Sequence, residues 1–396
     1  MATPVFCCGF ECGVSLTGHL INVAGISFVT SPVRSGLRAL RVNTTAAVAS
    51  SRWNGDGTTR TRLIGRIYIR FATLPDVDTG LAWTGSLADT GPQVRFKQAD
   101  SKIYAAVDTT LGATGVSVTT GIWYLIEYDF NISTGGNDVC DVRVDGVACG
   151  QATAAGMSVG QTIYRLGVAN TCTADIYFDD WILSGTAADY PLGPGYIISY
   201  IPNADGSHNV AGANDFERTL TGTDITNATT DAWQLVADRP LPSTAVDFIN
   251  GIAPPNSTDY VEVAFEDSVE PAAPRTVEAL VVYHDAGGAG TNNFSVTLRD
   301  SNGGTTADIM AAATRNVGSV ITLGRAHFTT IPGGGAWTST AFNALRSRFL
   351  VSDASPDPYI DALMLEAEFQ PALPSALFNR PYGQAGINQA QQLLAT

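Results

Sequence analysis

Apolar and polar residues alternate along most of this chain, which is the pattern of β-strands that bury one face. Residues 174–184, Ala-Asp-Ile-Tyr-Phe-Asp-Asp-Trp-Ile-Leu-Ser, give the clearest example and indicate the last strand of a sandwich. Short strands separated by turn residues are typical of a β-sandwich. The preceding strand-like segments are residues 35–42, 62–71, 93–97, 102–107, 121–130, 140–149 and 162–167.

The second half repeats this pattern after a run of chain breakers, Tyr-Pro-Leu-Gly-Pro-Gly. We therefore predict an all-β protein with two jelly-roll-like sandwich domains and an extended C-terminal arm, because the prolines after residue 370 disfavour a helix. A short helix is expected at 338–348, where Thr-Ser-Thr offers N-caps. The predicted domains are a first sandwich at 1–186, a linker at 187–195, a second sandwich at 196–370 and the arm at 371–396.

Composition supports this class and excludes others. The 396 residues include 40 Gly and 19 Pro, with 45% hydrophobic and 15% charged residues, which fits a folded protein rich in turns. The net charge of −15 and the lack of a basic run argue against nucleic-acid binding. The N-terminus lacks the features of a signal peptide and no apolar run would span a membrane, so synthesis in a host cytoplasm without membrane insertion is expected.

The cysteines are expected to be buried thiols. Cys7, Cys8 and Cys12 lie close together, but they lack the paired spacing of a zinc site. Cys140 and Cys149 flank an Asp-Gly turn that places them on diagonal positions of a hairpin. Diagonal side chains are about 7–8 Å apart, whereas a disulfide needs Cβ atoms about 3.5–4.5 Å apart.

Five motifs follow one another in residues 8–186: Ser-Gly-x-Arg-Ala-Leu-Arg-Val, Arg-x-Tyr-x-Arg-Phe-x-Thr-Leu-Pro, Gly-x-Trp-Tyr-x-Ile-Glu, Val-Asp-Gly and Tyr-Phe-Asp-Asp-Trp. Their order resembles the concanavalin A-like (laminin G-like) jelly-roll domains of tailed-phage virion proteins. The order of the motifs is more specific than any one of them, and short motifs of the second half also resemble phage structural proteins. The resemblance implies a virion protein that assembles with other virion proteins.

Catalysis is not expected. Laminarinase-type enzymes of this fold carry Glu-x-Asp-x-x-Glu on one strand, which supplies a nucleophile and an acid/base. Glu127 and Asp129 match the first two positions, but the third is Ile132. Without a general acid the leaving group is not protonated. We therefore interpret Glu127 and Asp129 as solvent-facing residues of a half-buried strand, and the protein as a non-enzyme.

Sugar binding and calcium remain open. Trp53 and Trp83 lie in Gly-, Thr- and Asp-rich segments and are the candidate glycan contacts, whereas Trp123 and Trp181 are expected in the core. No cofactor is expected, although calcium suits laminin G-like folds and prefers carboxylate oxygens. Its candidate ligands are Asp76, Asp78, Asp175, Asp179 and Asp180, of which the last two are better explained by turn anchoring or pairing with arginine.

The sequence therefore favours a structural component of a phage tail, baseplate or capsid that acts through protein–protein association as a homo-oligomer. Its expected location is the virion. The alternative is a carbohydrate-binding adhesion module that recognises a host surface glycan, and a glycan hydrolase is a third, weaker option. The candidate assembly contacts lie near the two termini and are Cys7, Cys8, Cys12, Phe378, Arg380 and Tyr382.

Overall fold

The computed structural model is almost entirely β-structure, arranged in two compact units. The first unit contains residues 4–10 and Leu20–Tyr196, and the second contains residues 11–13 and Ile197–Gln370. The structure describes residues 4–13, 20–23, 25–85, 91–157, 159–211, 215–218, 223–239, 241, 248–251, 259–285, 290–300, 304–317, 322–353 and 358–370.

The first unit is a sandwich whose layers share two long strands. Two short 3-10 turns, Gln98–Asp100 and Ala187–Asp189, accompany the strands. The strands are β1 Pro4–Cys8, β2 Ile21–Val23, β3 Ile26–Val29, β4 Ala39–Trp53, β5 Arg62–Thr73, β6 Thr79–Thr84, β7 Pro92–Lys97, β8 Lys102–Val107, β9 Thr110–Leu111, β10 Val116–Ser117, β11 Trp123–Asn131, β12 Asn137–Val144, β13 Val147–Ala148, β14 Ala152–Ala155 and β15 Tyr164–Ser184.

Strand β15 passes from one layer to the other. Its first part pairs with β6 and with the end of β4, and its last part pairs with β1 and β5. The segments predicted separately at 162–167 and 174–184 are therefore one strand of 21 residues. Register shifts between Val168 and Ala174 let it change layers without ending.

Aromatic side chains fill the space between the layers. The Phe6 ring stacks on Trp53 with centroids 4.8 Å apart, and Trp53 stacks on Tyr164 at 5.5 Å. Trp181 Nε1 donates to the Tyr128 hydroxyl at 3.0 Å, so its polar atom is satisfied in the core, as expected for this residue. A Cβ at Gly65 would lie 2.0 Å from the Tyr128 ring, so this ring position requires glycine.

The turn chemistry of the 140–149 hairpin is confirmed. Asp145 and Gly146 both have positive φ, as a type I′ turn requires, and Val144 pairs with Val147. Cys149 N donates to the Val142 carbonyl, which is the predicted register. All six cysteines are buried and free.

The second unit has two antiparallel sheets. The strands are β16 Tyr196–Tyr200, β17 Pro202–Asp205, β18 Phe216–Arg218, β19 Thr223–Asp224, β20 Ile249–Gly251, β21 Tyr260–Phe265, β22 Thr276–Asp285, β23 Gly290–Arg299, β24 Thr306–Val317, β25 Thr322–Phe328, β26 Arg346–Asp353 and β27 Pro358–Phe369. The 3-10 helix is Ala232–Val236 and α1 is Ser339–Asn343. The strand order is β19-β18-β20-β27-β22-β25 in one sheet, with β16 paired to β27, and β17-β21-β26-β23-β24 in the other.

The predicted helix at 338–348 is too long. Thr338 does cap α1, because its Oγ1 accepts the Ala341 N–H at 3.0 Å. The helix ends early because β26 begins at Arg346 and pairs with both β21 and β23. Within the described residues, α1 is shorter than a membrane crossing needs, and no helix there has the required length and apolar character.

Candidate functional site

The face that carries Glu127 is closed by the chain itself. Glu127 lies on β11 opposite Arg66 of β5, and both are buried. Gly193 N–H donates to Glu127 Oε1 at 2.7 Å, and Arg66 Nη1 donates to the Gly193 carbonyl at 3.3 Å. The segment that follows β15 therefore covers the face of β11 and β5 that carries Glu127 and Arg66.

The expectation that Glu127 and Asp129 face solvent is wrong. Asp129 is also buried and receives two hydrogen bonds from Arg62, with Nε–Oδ1 at 3.0 Å and Nη2–Oδ2 at 2.5 Å. Ile132, at the third motif position, is buried too. The acids are held as acceptors in a closed polar layer, because a non-local segment and a long arginine side chain cover the strand.

The calcium candidates are used by the fold in other ways. Asp179 accepts the Arg34 N–H at 2.8 Å and Asp180 binds the Arg34 guanidinium, which confirms the interpretation as anchors and arginine partners. Arg41 binds Asp175 through two nitrogens at 2.8 and 2.9 Å. Asp76 and Asp78 accept backbone N–H groups. Within the described residues, these five carboxylates do not form one group of metal ligands.

Trp53 is not a surface residue. It ends β4 and is completely buried between Phe6 and Tyr164, so the expectation that it contacts a glycan is wrong. Its neighbours in sequence are turn-like, but pairing with β15 at Tyr164 continues the strand to this position. Trp123 is buried as expected, in a small core cluster with Ala39, Tyr68 and Tyr177.

Trp83 is also in a strand rather than a loop, but its position is informative. It lies on β6, between Arg165 of β15 and Gln93 of β7. Arg165 in turn pairs with Arg52 of β4. Directly paired residues point to the same side of a sheet, so these four residues form one row across four strands. With strands about 4.8 Å apart, the row is about 14 Å long.

More cationic side chains lie beside this row. On β7, Gln93, Arg95 and Lys97 alternate with the core residues Val94 and Phe96. The next strand places Tyr104 opposite Arg95, and Lys102 opposite Lys97. These eight residues are called the cationic face: Arg52, Trp83, Gln93, Arg95, Lys97, Lys102, Tyr104 and Arg165. It holds both lysines of a chain with net charge −15.

Hydrogen bonds hold most of the cationic face in place. Arg165 Nε donates to the Gly85 carbonyl at 2.8 Å and its Nη1 donates to Ser50 Oγ at 3.3 Å. Gln93 Nε2 and Arg95 Nη1 both donate to the Asp108 carbonyl, at 2.8 and 3.1 Å. The side chains are therefore fixed before any ligand arrives, which reduces the entropy lost on binding.

Two buried polar atoms of the row are unsatisfied. Arg52 Nε is a donor and Gln93 Oε1 an acceptor, and within the described residues neither has a hydrogen-bond partner. Gln93 is 99% buried, so its orphaned oxygen is unusual for a folded protein. The row therefore offers one donor and one acceptor, with Trp83 between them.

The electrostatics of the row follow from its geometry. Burial and the nearby charge of Arg52 lower the pKa of Arg165. At the edge of the face, the hydrogen bond to Asp100 raises the pKa of Tyr104 to about 12. Lys97 Nζ lies 5.7 Å from the centroid of the Tyr104 ring. Positive charge is thus concentrated here without a carboxylate on Arg52 or Arg165 among the described ion pairs.

The second unit contains a histidine cluster that the sequence analysis did not find. His327 Nδ1 lies 2.8 Å from Glu278 Oε2, and its Nε2 lies 2.7 Å from Thr276 Oγ1. The Thr276 hydroxyl donates to the Phe328 carbonyl at 3.0 Å, so its proton is committed. Burial alone would raise the pKa of Glu278, but Arg325 and His327 outweigh it and hold that pKa below its usual range. This is a buried ion cluster rather than a nucleophile with its base.

Glu366 lies directly opposite Glu278 on β27. Burial, together with the nearby ionisable groups of Cys12, Glu11 and Glu278, raises its pKa well above the ordinary value. Its Oε1 accepts the Glu11 N–H at 3.1 Å. The pKa values of the two facing glutamates are therefore shifted in opposite directions, as expected for two carboxyl groups that share a site.

The N-terminal assembly candidates are not at the surface. Cys7 and Cys8 lie on β1, paired with Ile182 and Trp181 of β15, and both are buried. Cys12 packs with Leu241, Leu280 and Met364 in the second unit. The expectation that Cys7, Cys8 and Cys12 form assembly contacts is thus wrong, because these side chains are buried in strand pairs and in the core. Phe378, Arg380 and Tyr382 lie outside the described residues.

Sequence patterns identified Trp83 as a candidate but missed its neighbours. Arg52, Arg165 and Gln93 come from strands far apart in the chain, and only the register of β4, β15, β6 and β7 brings them together. The available signal was the rarity of lysine: Lys97 and Lys102 flank one predicted hairpin. That concentration of charge could have directed attention to this sheet.

No protein-family model and no curated protein matches the chain. Solved structures that resemble part of it include the cellulose-induced protein Cip1, with a TM-score of 0.38, 13% identity, and coverage of 46% of this chain and 97% of that one. An endo-β-1,4-glucuronan lyase from the fungus Trichoderma reesei has a TM-score of 0.35 and 13% identity, over 47% of this chain and 98% of that one. A carbohydrate esterase from the Shiga toxin-encoding bacteriophage phi24B has a TM-score of 0.33 and 12% identity, over 47% of this chain and 100% of that one.

Proposed function

We propose that the first unit is a non-catalytic carbohydrate-binding module that binds its glycan along the cationic face. The observation that carries this proposal is the row Arg52–Arg165–Trp83–Gln93, with an unsatisfied donor at one end and an unsatisfied acceptor near the other. Sugar hydroxyl groups both donate and accept hydrogen bonds, so one glycan can satisfy both atoms.

Trp83 lies in the middle of the row and is only 3% exposed, so it does not present an open ring face to a sugar. Its place between Arg165 and Gln93 makes it a supporting residue of the row. Carbohydrate sites depend on a few fixed polar groups for orientation. Trp83 therefore enters this proposal as a residue that supports those groups, whereas Trp53 does not enter it.

The absence of catalysis is part of the same proposal. Glu127 is engaged by Gly193 and Asp129 by Arg62, so neither is placed as a nucleophile or an acid/base. On the cationic face the alternating residues of β7 and β8 are amide, cationic and aromatic. The eight residues of the cationic face include no carboxyl group or imidazole of the kind that serves a glycosidase, and the Tyr104 hydroxyl donates to Asp100 at 2.6 Å.

The experiment is a glycan array with the full chain, repeated with Gln93→Ala and Trp83→Ala. Loss of the bound glycans in both variants, each of which still unfolds cooperatively, supports the proposal. Binding that survives both changes, or no glycan bound by the unaltered chain, contradicts it. Reducing-sugar assays on any bound glycan test the non-catalytic part, and release that stops in Glu127→Gln would overturn it.

A phage virion is the setting that the sequence resemblance predicts, and a glycan-binding module on its surface would attach to host cells. We propose assembly through residues 371–396, since the buried cysteines do not serve. Deleting 371–396 is expected to abolish a homo-oligomer while both units still fold. Unchanged mass by light scattering would contradict the arm hypothesis without affecting glycan binding.

A further inference from the structure

Two arginines face each other in the middle of the cationic face. Arg52 and Arg165 are directly paired residues on neighbouring strands, where like charges destabilise a sheet. Arg165 is 95% buried, and its Nε and Nη1 bind the uncharged acceptors Gly85 O and Ser50 Oγ. Among the described residues, no salt bridge involves either guanidinium. Among the described residues, the two positive charges are therefore held together at a cost, with hydrogen bonds and without a compensating carboxylate.

Other arginines of the same unit show how this chain normally compensates such charges. Arg41 has Asp175, Arg60 has Asp56 and Arg62 has Asp129, each at 3.0 Å or less. Carboxylates are abundant, with 37 Asp and Glu against 22 Lys and Arg. The uncompensated pair is thus not a consequence of a shortage of acids, and its location beside Trp83 and Gln93 coincides with the proposed glycan row.

We propose that the glycan bound here is a carboxylated one, a polymer or oligomer of uronic acids, and that its carboxylate sits on the Arg52–Arg165 pair. This inference rests on the proposed carbohydrate-binding function. The unsatisfied Arg52 Nε is one prong of the planar guanidinium fork, whose geometry matches both oxygens of a carboxylate. A negative group at this place also removes the repulsion between the two arginines.

The neighbouring residues fit the rest of such a sugar. Next to Arg165 in the row lies Trp83, which is 3% exposed and supports the face from within, and one strand further Gln93 Oε1 is the acceptor for a hydroxyl hydrogen. Arg95, Lys97 and Lys102 continue the positive charge along β7 and β8, where further uronate units of the same chain would lie. A polymer with a charge on each sugar therefore meets cations along the whole face.

The test compares two forms of one ligand. A uronic acid tetrasaccharide and the same tetrasaccharide with its carboxyl groups reduced to alcohols are titrated into the full chain by calorimetry, at 50 mM and 300 mM salt. A sulfated oligosaccharide without carboxyl groups is the third ligand. We expect the uronate to bind at least tenfold more tightly than its reduced form, and more tightly than the sulfated sugar, with affinity that falls at high salt.

The variants separate charge from fold. Arg52→Gln is expected to bring the uronate affinity down to that of the reduced sugar, and Arg52→Lys to fall between them, because lysine keeps the charge but loses the fork. Arg41→Gln is the control, since Arg41 is already paired with Asp175. Thermal unfolding of each variant confirms that it is folded.

The outcomes distinguish the two proposals. Equal affinity for the uronate and its reduced form, or equal losses for both in Arg52→Gln, overturns the carboxylate inference while leaving carbohydrate binding intact. Tighter binding of the sulfated sugar also overturns it. If no glycan of either kind binds the unaltered chain, the proposed function itself fails.

Discussion

Arg52 and Arg165 are direct partners across β4 and β15, two guanidinium groups on the same side of one sheet without a carboxylate described on either. Such an arrangement lowers the stability of the ligand-free protein, since like charges in opposite positions repel. We therefore expect Arg52 and Arg165, which are proposed to bind the ligand, to lower the unfolding free energy of the protein when no ligand is bound.

The first prediction concerns this trade between stability and binding. Arg52→Gln should raise the unfolding free energy of the ligand-free chain by roughly 0.2–1 kcal/mol, the range for cross-strand pairs, while it abolishes tight uronate binding. Chemical denaturation with and without the uronate tetrasaccharide measures both. A variant that loses stability without ligand would show that Arg52 supports the fold rather than the site.

The second prediction separates the two tryptophans. Trp53→Ala removes a side chain stacked between Phe6 and Tyr164 and should lower the unfolding free energy by about 3–5 kcal/mol. Trp83→Ala, at a position that is 3% exposed, should lower the unfolding free energy by a similar amount, and it should also weaken glycan binding at least tenfold in a chain that still unfolds cooperatively. Unfolding curves and calorimetric titrations give the two quantities. Weaker binding in folded Trp53→Ala than in Trp83→Ala would reverse the assignment.

The third prediction concerns the closed face. Glu127→Ala removes the acceptor of the Gly193 N–H and leaves Arg66 beside an emptied position, so the unfolding free energy should fall by about 1–3 kcal/mol. The glycan affinity should not change, because the cationic face is on other strands. Asp141→Ala, a less buried acid on the adjacent β12, is the control and should have a smaller effect. A changed glycan affinity in Glu127→Ala would indicate that the ligand binds on the face that carries Glu127, which contradicts binding on the cationic face.

The fourth prediction uses the facing glutamates of the second unit. The pKa of Glu366 is raised in the folded state, so its stabilising contribution is complete below the ordinary glutamate pKa and is lost as the pH rises through the folded value. Glu366→Gln should therefore raise the melting temperature at pH 7 by a few degrees, which corresponds to about 1 kcal/mol. The difference should vanish near pH 4.

Glu278 should show the opposite dependence. Its pKa is lowered in the folded state, so its contribution is present above the ordinary value and is lost as the pH falls through the folded one. Glu278→Gln should destabilise the protein at pH 7, with a penalty that shrinks as the solution is acidified. Melting curves of both variants from pH 4 to pH 8 provide the check. Parallel curves for the two variants would contradict the assigned protonation states.

The sequence predicted elements whose cause is local. The Asp145–Gly146 turn was predicted because both residues tolerate positive φ. The start of a helix at Thr338 was predicted because a threonine hydroxyl can cap the first turn. Strand alternation also gave the all-β class. These signals lie within a few residues of one another, so no knowledge of distant partners is needed.

Features that depend on distant partners were missed. Strand alternation alone predicts that Glu127 faces solvent, but in the fold the segment at Gly193 covers it. The row Arg52–Arg165–Trp83–Gln93 depends on the register of four strands, and a shift by one residue would turn a side chain to the other face. A bulge in β15 changes such a register without any clear mark in the sequence.

Strand β15 has a consequence for how the first unit bears mechanical load. It carries Arg165 near its start and ends at Ser184, and the first unit continues to Tyr196 before the chain enters the second unit. Its inter-strand hydrogen bonds lie perpendicular to the strand, so tension along it loads many of them together in shear instead of breaking them one by one. A pull between a glycan held at Arg165 and the rest of the chain is therefore carried by the most extensively paired strand of the sandwich.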